Sequence, residues 1–158
     1  MAIVPYLWLP IGKYDKDKAL NIGENRYKTA LQFGGQFPIS KSWDFSGSID
    51  TTFFGKNDDI ELKQKPLTRI DAWLKYNLKS GAYAHLAVGL TQLLGGETEI
   101  AGVSQRDDLN TTTAKVQFGT LIDDSLTRHL LFTLGRDISV ENGLKADWHF
   151  ECRVLFVL

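Results

Sequence analysis

The chain has one cysteine, one methionine and four prolines among 158 residues, and no apolar run approaches the ~20 residues a membrane helix needs. A single thiol excludes a disulfide framework and a cysteine-built metal site. Cys152 falls on the apolar phase of its segment and reads as a buried, inert thiol. Neither sign of charge is in excess: 18 Lys and Arg stand against 19 Asp and Glu. A nucleic-acid partner normally leaves a basic excess, so none is expected. Residues 1–9 carry Pro5 but no basic stretch and no small-residue cleavage site, so they do not read as a secretory leader. If the chain is exported, its leader has been removed or lies upstream. The missing apolar run says nothing against a β-barrel, whose strands alternate and keep mean hydropathy low.

Chemistry is sparse as well. His85, His129 and His149 sit on polar phases of separate segments without metal-ligand spacing, so no metal or other cofactor is expected. Ser46 and Ser48 share a phase with Asp44 and Asp50, but neighbouring segments offer no histidine, so no nucleophilic site is read. Gly95-Gly96 is not followed by a helix and is no phosphate loop. No catalytic residue is assigned, and the chain is not read as an enzyme.

What the chain has is alternation. Tyr27, Thr29, Leu31, Phe33 and Phe37 alternate with polar or small residues. After a turn at Pro38-Ile39-Ser40-Lys41-Ser42, the pattern restarts with Trp43, Phe45, Ile49, Thr51 and Phe53. Strand side chains point to opposite faces in turn, so this hairpin has an apolar face and a polar one. The same pattern recurs in residues 67–78, 83–91, 113–120, 129–137 and 147–156, and residues 2–9 form an apolar first strand whose Pro5 suits an edge. Eight antiparallel strands result. Their connections alternate: long at residues 10–24, 55–66 and 95–110, short at 38–42, 79–81 and 123–125. Asn142-Gly143 marks a further turn. Outer-membrane barrels have short periplasmic turns and longer outer loops, with aromatic girdles where Tyr27, Phe37, Trp43, Phe53 and Tyr76 fall. The alternative is a soluble up-and-down barrel holding an apolar ligand, in which Arg26, Lys28, Asp44 and Asp50 are a solvated face.

A family resemblance supports the membrane reading. Pro10-Ile11-Gly12-Lys13-Tyr14-Asp15 and Asn21-Ile22-Gly23-Glu24-Asn25-Arg26 resemble the proline–glycine–tyrosine and "NxGxNRW" segments of the MetA-like outer-membrane transporters, named for the meta-pathway of phenol degradation. Gly95-Gly96-Glu97-Thr98, with Gly102, Gln105, Asp107-Asp108 and Asn110-Thr111, resembles that family's glycine-rich outer loop, and residues 136–143 its last hairpin. Tyr27 stands where the family has Trp, and Leu158 where a terminal aromatic belongs, with Phe156 nearest. The resemblance implies a transmembrane β-barrel of the bacterial outer membrane with more than eight strands, so N-terminal strands are expected beyond the single domain visible here. It implies passive or facilitated passage of small, aromatic or hydrophobic compounds. The expected partners are outer-membrane lipid, the barrel-assembly machinery and a small-molecule solute. A structural membrane barrel without a channel is the third reading.

On the barrel reading the polar phase lines the lumen. Arg26, Lys28 and Gln32 come from the second strand, Asp44 and Asp50 from the third, and Arg69, Asp71, Trp73 and Lys75 from the fourth. His85, Lys115 and His129 come from the next three, Asp137 from the seventh, and Asp147, Glu151 and Arg153 from the last. Trp73 breaks the polar phase, as a constriction, a stacking residue or a sign of a one-residue register error. Hairpin spacing places Lys28 near Asp50 and Asp50 opposite Asp71. The charged long connections are expected to be solvated.

Overall fold

The structure is a computed structural model that describes residues 1–18, 20–78, 84–122 and 128–156. The short turns expected at 79–81 and 123–125, Tyr83 and Leu158 lie outside the described residues. Among the described residues there are eleven strands: β1 (Ala2–Trp8), β2 (Lys28–Pro38), β3 (Trp43–Phe54), β4 (Leu62–Gln64), β5 (Leu67–Asn77), β6 (His85–Gly95), β7 (Thr98–Ile100), β8 (Val103–Arg106), β9 (Leu109–Leu121), β10 (Arg128–Glu141) and β11 (His149–Phe156). Eight of them form one antiparallel sheet in the order β1-β2-β3-β5-β6-β9-β10-β11. Long strands adjacent in sequence are adjacent in space, the up-and-down order that alternating short and long connections dictate.

The sheet is curled. Met1, Ala2 and Val4 at one edge and Glu151 and Arg153 at the other line the same cleft of about 890 Å³. No ladder joins β1 to β11 among the described residues, so these two strands are the sheet's edges. Pro5 lies within β1 opposite Leu31, a position an edge strand tolerates because it pairs on one side only.

Polarity is inverted relative to a soluble domain. The buried residues are mostly polar: Asp71, Thr91, Thr111, Thr113, Thr133 and Asp137 on the concave face, against Ala30, Ala84 and Ala87 as the buried apolar ones. On the convex face Leu31, Phe33, Ile49, Leu86, Val88, Leu90, Val116 and Phe150 are exposed. A soluble barrel holding an apolar ligand requires the opposite arrangement. Rings gather near the short-turn end of the convex face, where Trp43 and Tyr76 pack at 4.8 Å between centroids. Cys152 belongs to this convex face and is exposed, not buried: the outward phase of β11 has no protein layer over it.

Two long connections are more ordered than a solvated loop. β4 comes from residues 55–66, β7 and β8 from residues 96–108, and the three form a second sheet in the order β4-β7-β8. Their opposed charges explain the pairing: Lys63 meets Glu99 at 3.5 Å, and Lys65 pairs with Glu97. The hydrogen bond to Glu97 and its negative charge raise the Lys65 pKa. The β7–β8 hairpin turns through Ala101 and Gly102, both with positive φ (49° and 79°), as a two-residue turn requires. β9 begins at Leu109 and β6 extends to Gly95, so the main sheet reaches further into these connections than the alternation alone indicated.

Candidate functional site on the concave wall

Strand alternation delivers side chains to the concave face in rungs, each rung being residues directly opposed on successive strands. The middle rung reads Ser46, Trp73, Gly89, Lys115, Gly135 and His149 across β3, β5, β6, β9, β10 and β11. Large and small residues alternate along it for a steric reason. Trp73 lies across Gly89, where an added Cβ would meet indole Cδ2 at 2.5 Å, and His149 lies across Gly135, with its Cδ2 at 2.9 Å from such a Cβ. Lys115 stands between the two rings, its Nζ 5.9 Å from the Trp73 ring centroid. His85 repeats the arrangement nearer the short turns, lying over Gly119 with Nε2 3.5 Å from Gln117 Oε1.

On the long-loop side of this rung lie Ser48, Asp71, Thr91, Thr113 and Asp137. Asp71 is held by Arg69 Nε at 2.6 Å, by the Thr91 hydroxyl and, more loosely, by Lys115 at 3.7 Å. Asp137 accepts from the Thr113 hydroxyl at 2.6 Å and from the Ala146 backbone N–H at 2.8 Å, tying the last connection to the wall. Buried carboxylates require such partners. On the short-turn side, Asp44 receives Asn77 Nδ2 at 2.7 Å and Lys75 Nζ at 3.1 Å. Glu151 and Arg153 pair at 2.7 Å on β11. Gln32 accepts a hydrogen bond from the Tyr6 hydroxyl at 3.0 Å.

The cleft brings together Gln32, Arg69, Asp71, Trp73, Lys115, Glu151 and Arg153 from the residues singled out in the sequence. His129 is on β10 at its short-turn end, opposite Leu121. Asp50 faces Gln32 and Arg69, whereas Asp71 faces Ser48 and Thr91, so the expected confrontation of Asp50 with Asp71 does not occur. Lys28 faces Phe54 rather than approaching Asp50, and its ammonium goes to Glu24 at 2.6 Å. The spacing argument had shifted β3 against β5 by one rung and β2 against β3 by two.

Two residues leave the wall altogether. Asp147 is exposed in the connection before β11, because that strand starts at His149. Arg26 precedes β2, where its buried side chain bonds Gln64 and Glu24 and covers the Phe54 ring at 4.7 Å. Conversely, the cleft includes His149, and the inner phase of β1 adds Tyr6 and Trp8, stacked at 5.7 Å with Lys28 over Trp8. Rings on both phases of a short first strand obscured which one faces in. Among the described residues no three His, Cys, Asp or Glu side chains gather as a metal site would require.

A curled antiparallel meander with an apolar exposed convex face, a polar hydrogen-bonded concave face and long connections at one end is the wall of an outer-membrane β-barrel. The comparisons agree. Residues 1–147 match the family described as "Putative MetA-pathway of phenol degradation", and the chain belongs to that family. The crystal structure of an outer membrane channel from Pseudomonas putida F1 is similar with a TM-score of 0.87 and 30% sequence identity, over 99% of this chain and 59% of that one. The chain therefore spans about three-fifths of that channel's length. No curated protein matches the chain. The protein resides in the bacterial outer membrane.

Proposed function

We propose that this sheet is part of the wall of an outer-membrane passage for small solutes, with movement down the solute's own gradient. The observation that carries this reading is the middle rung: a cleft of about 890 Å³ with Trp73, Lys115 and His149 projecting at mid-depth and hydrogen-bonded polar groups above and below. The likeness to a solved outer membrane channel supports it. The solute class we assign, small aromatic or hydrophobic compounds, rests on the family's link to phenol degradation. Trp73 offers a ring surface for such solutes. We assign no catalytic step to the wall.

The same reading requires further strands. An unpaired strand edge in hydrocarbon leaves its N–H and C=O groups without partners, at several kcal/mol each. β1 and β11 both present such edges, and we propose that additional strands pair with them to close a single barrel. The test is conductance in planar bilayers, together with uptake of phenol into proteoliposomes. Steady conductance and faster phenol entry are expected. A folded, membrane-inserted protein that passes neither ions nor phenol would instead be a structural barrel.

A further inference from the structure

We propose that a trough on the convex face binds the phosphorylated glycolipid of the outer leaflet, with a phosphate on Arg136 and an acyl chain along the strands' small outward residues. The outward positions of the eight-stranded sheet are mostly apolar, with rings such as Phe37, Trp43, Phe53 and Phe156 near the strand ends. Arg136 departs from this. Among the described residues the other outward charges, Arg128 and Glu141, are the end residues of β10, whereas Arg136 stands within the strand, next to Leu134 on the same face. A guanidinium facing hydrocarbon is costly and demands an anion or the interface. No carboxylate among the described residues forms an ion pair with it; its one described contact is the face of Trp148, 5.4 Å from the ring centroid.

Along β10 Arg136 lies nearer the long-connection end at Glu141 than the short-turn end at Arg128, which puts this pair towards the outer half of the wall. Outward polar contacts, Thr51 with Thr68 at 3.0 Å and Gln92 with Asn110 at 2.6 Å, begin on the long-connection side of the Arg136 rung, with Phe53 and Leu94 exposed beyond them. Arg136 opposes Ala114, the next outward residue below Thr112 on β9. The long connections lie on this side, which is the outer one in a barrel of this class. Indole and guanidinium side by side suit the boundary between headgroups and chains.

Below Arg136 the surface is hollow. A trough of about 620 Å³ runs from Arg136 and Trp148 over Ala114, Leu90 and Ala72 to the ring of Phe45. Its floor follows one rung, since Arg136, Ala114, Leu90 and Ala72 are directly opposed in turn, and two of the four are alanine. That rung descends through the membrane. Arg136 lies nearer the outer end of β10 at Glu141, and Phe45 lies beside the short-turn end of β3 at Trp43. A chain anchored by its phosphate at Arg136 therefore enters the hydrocarbon along the trough. The cation, the indole and the descending apolar channel together fit a phosphorylated lipid of the outer leaflet.

Native mass spectrometry of the protein in detergent, titrated with lipid A and separately with phosphatidylglycerol, tests this. A one-to-one lipid A complex is expected. Arg136→Gln should weaken it about tenfold, the order of a lost charge-assisted hydrogen bond. Ala114→Phe fills the trough while keeping the Arg136 charge and should weaken it several-fold. Arg136→Lys should recover most of the binding, and Lys41→Gln, at a turn on the opposite end, should leave it unchanged. Heat-modifiable gel mobility verifies that each variant is folded. Equal affinity in folded Arg136→Gln, or in folded Ala114→Phe, would overturn the site; phosphatidylglycerol binding as tightly as lipid A would overturn the glycolipid assignment.

Discussion

The indole of Trp73 covers Gly89, its directly opposed neighbour on β6, so closely that any Cβ there would sit 2.5 Å from indole Cδ2. The fused ring cannot swing aside as a flexible chain end could. Gly89→Ala is therefore expected to drive Trp73 off the wall into the cleft, with an overpacking cost of about 1–3 kcal/mol. Single-channel conductance should fall in Gly89→Ala and recover in the double variant with Trp73→Ala. Unchanged conductance in folded Gly89→Ala would show that Trp73 does not limit the passage.

The convex face sets a second expectation. Leu31 and Leu74 are exposed there, so Arg at either should cost ~2–4 kcal/mol where it meets the bilayer midplane. Arg at Gln32, which lines the cleft, should cost much less. The sequence pattern would put Thr113 with Gln32, but Thr113 is buried and donates to Asp137 at 2.6 Å, so Thr113→Arg should be as damaging as the lipid-side changes for a different reason. Folding yields into lipid vesicles measure all four, and equal tolerance of Leu31→Arg and Gln32→Arg would reverse the sidedness.

Ion selectivity is expected to be weak, and to depend on Lys115 rather than Lys28. Arg69 and Arg153 each have a carboxylate within 2.7 Å, whereas Lys115 shares Asp71 with Arg69 at 3.7 Å. Lys115→Glu would put a new acid beside Asp71 at the level of Trp73, and should shift the reversal potential under a salt gradient towards cations. Lys28→Glu, at a residue that hairpin spacing put near Asp50, should leave the mid-depth potential nearly unchanged, because Lys28 pairs with Glu24 at the long-loop end. A strongly selective unmodified protein, or no shift in Lys115→Glu, would contradict this account of the wall.

These residues also show what the sequence could reveal. A period of two assigns each side chain of a strand to a face, and it did so for Gln32, Asp71, Trp73 and Lys115 without any knowledge of partners. It carries no information on which rung of one strand meets which rung of the next. Pairing Asp50 with Asp71 instead of Arg69 preserves every face and misplaces every neighbour. Strand limits were equally hidden. Asp147 continues the alternation of β11 perfectly, yet the Ala146 backbone is drawn to Asp137, and the chain joins the ladder only at His149. The ring-on-glycine pairs were present only as glycines on one strand and rings on another. The β4-β7-β8 sheet could not be seen because its strands are three or four residues long and rest on charge pairs between separate connections.

The long-loop end supplies the last prediction. Glu24 receives Lys28 Nζ at 2.6 Å and Arg26 Nη2 at 2.9 Å, while the Glu24 backbone carbonyl accepts from Nδ2 of the fully buried Asn57 at 3.0 Å. Partial burial alone would raise the carboxyl's pKa. The hydrogen bonds and charges of Lys28 and Arg26 outweigh it and hold the pKa below the ordinary 4.5. A carboxyl depressed in the folded state stabilises that state fully above its unfolded pKa, and the contribution is lost as pH falls through the lower folded value. Because the Glu24 side chain is half exposed, the pairs are screened and worth only about 0.2–1 kcal/mol. Glu24→Gln should therefore lower the melting temperature slightly at pH 7 and make the acid limb below pH ~4.5 shallower. Asn57→Ala should cost more, about 1–3 kcal/mol, with no change in the acid limb, because Asn57 is fully buried and its loss leaves the Glu24 carbonyl without its donor. Thermal unfolding in detergent between pH 3 and 7 separates the two, and an acid limb in Glu24→Gln as steep as in the unmodified protein would mean that Glu24 does not tie this end of the wall together.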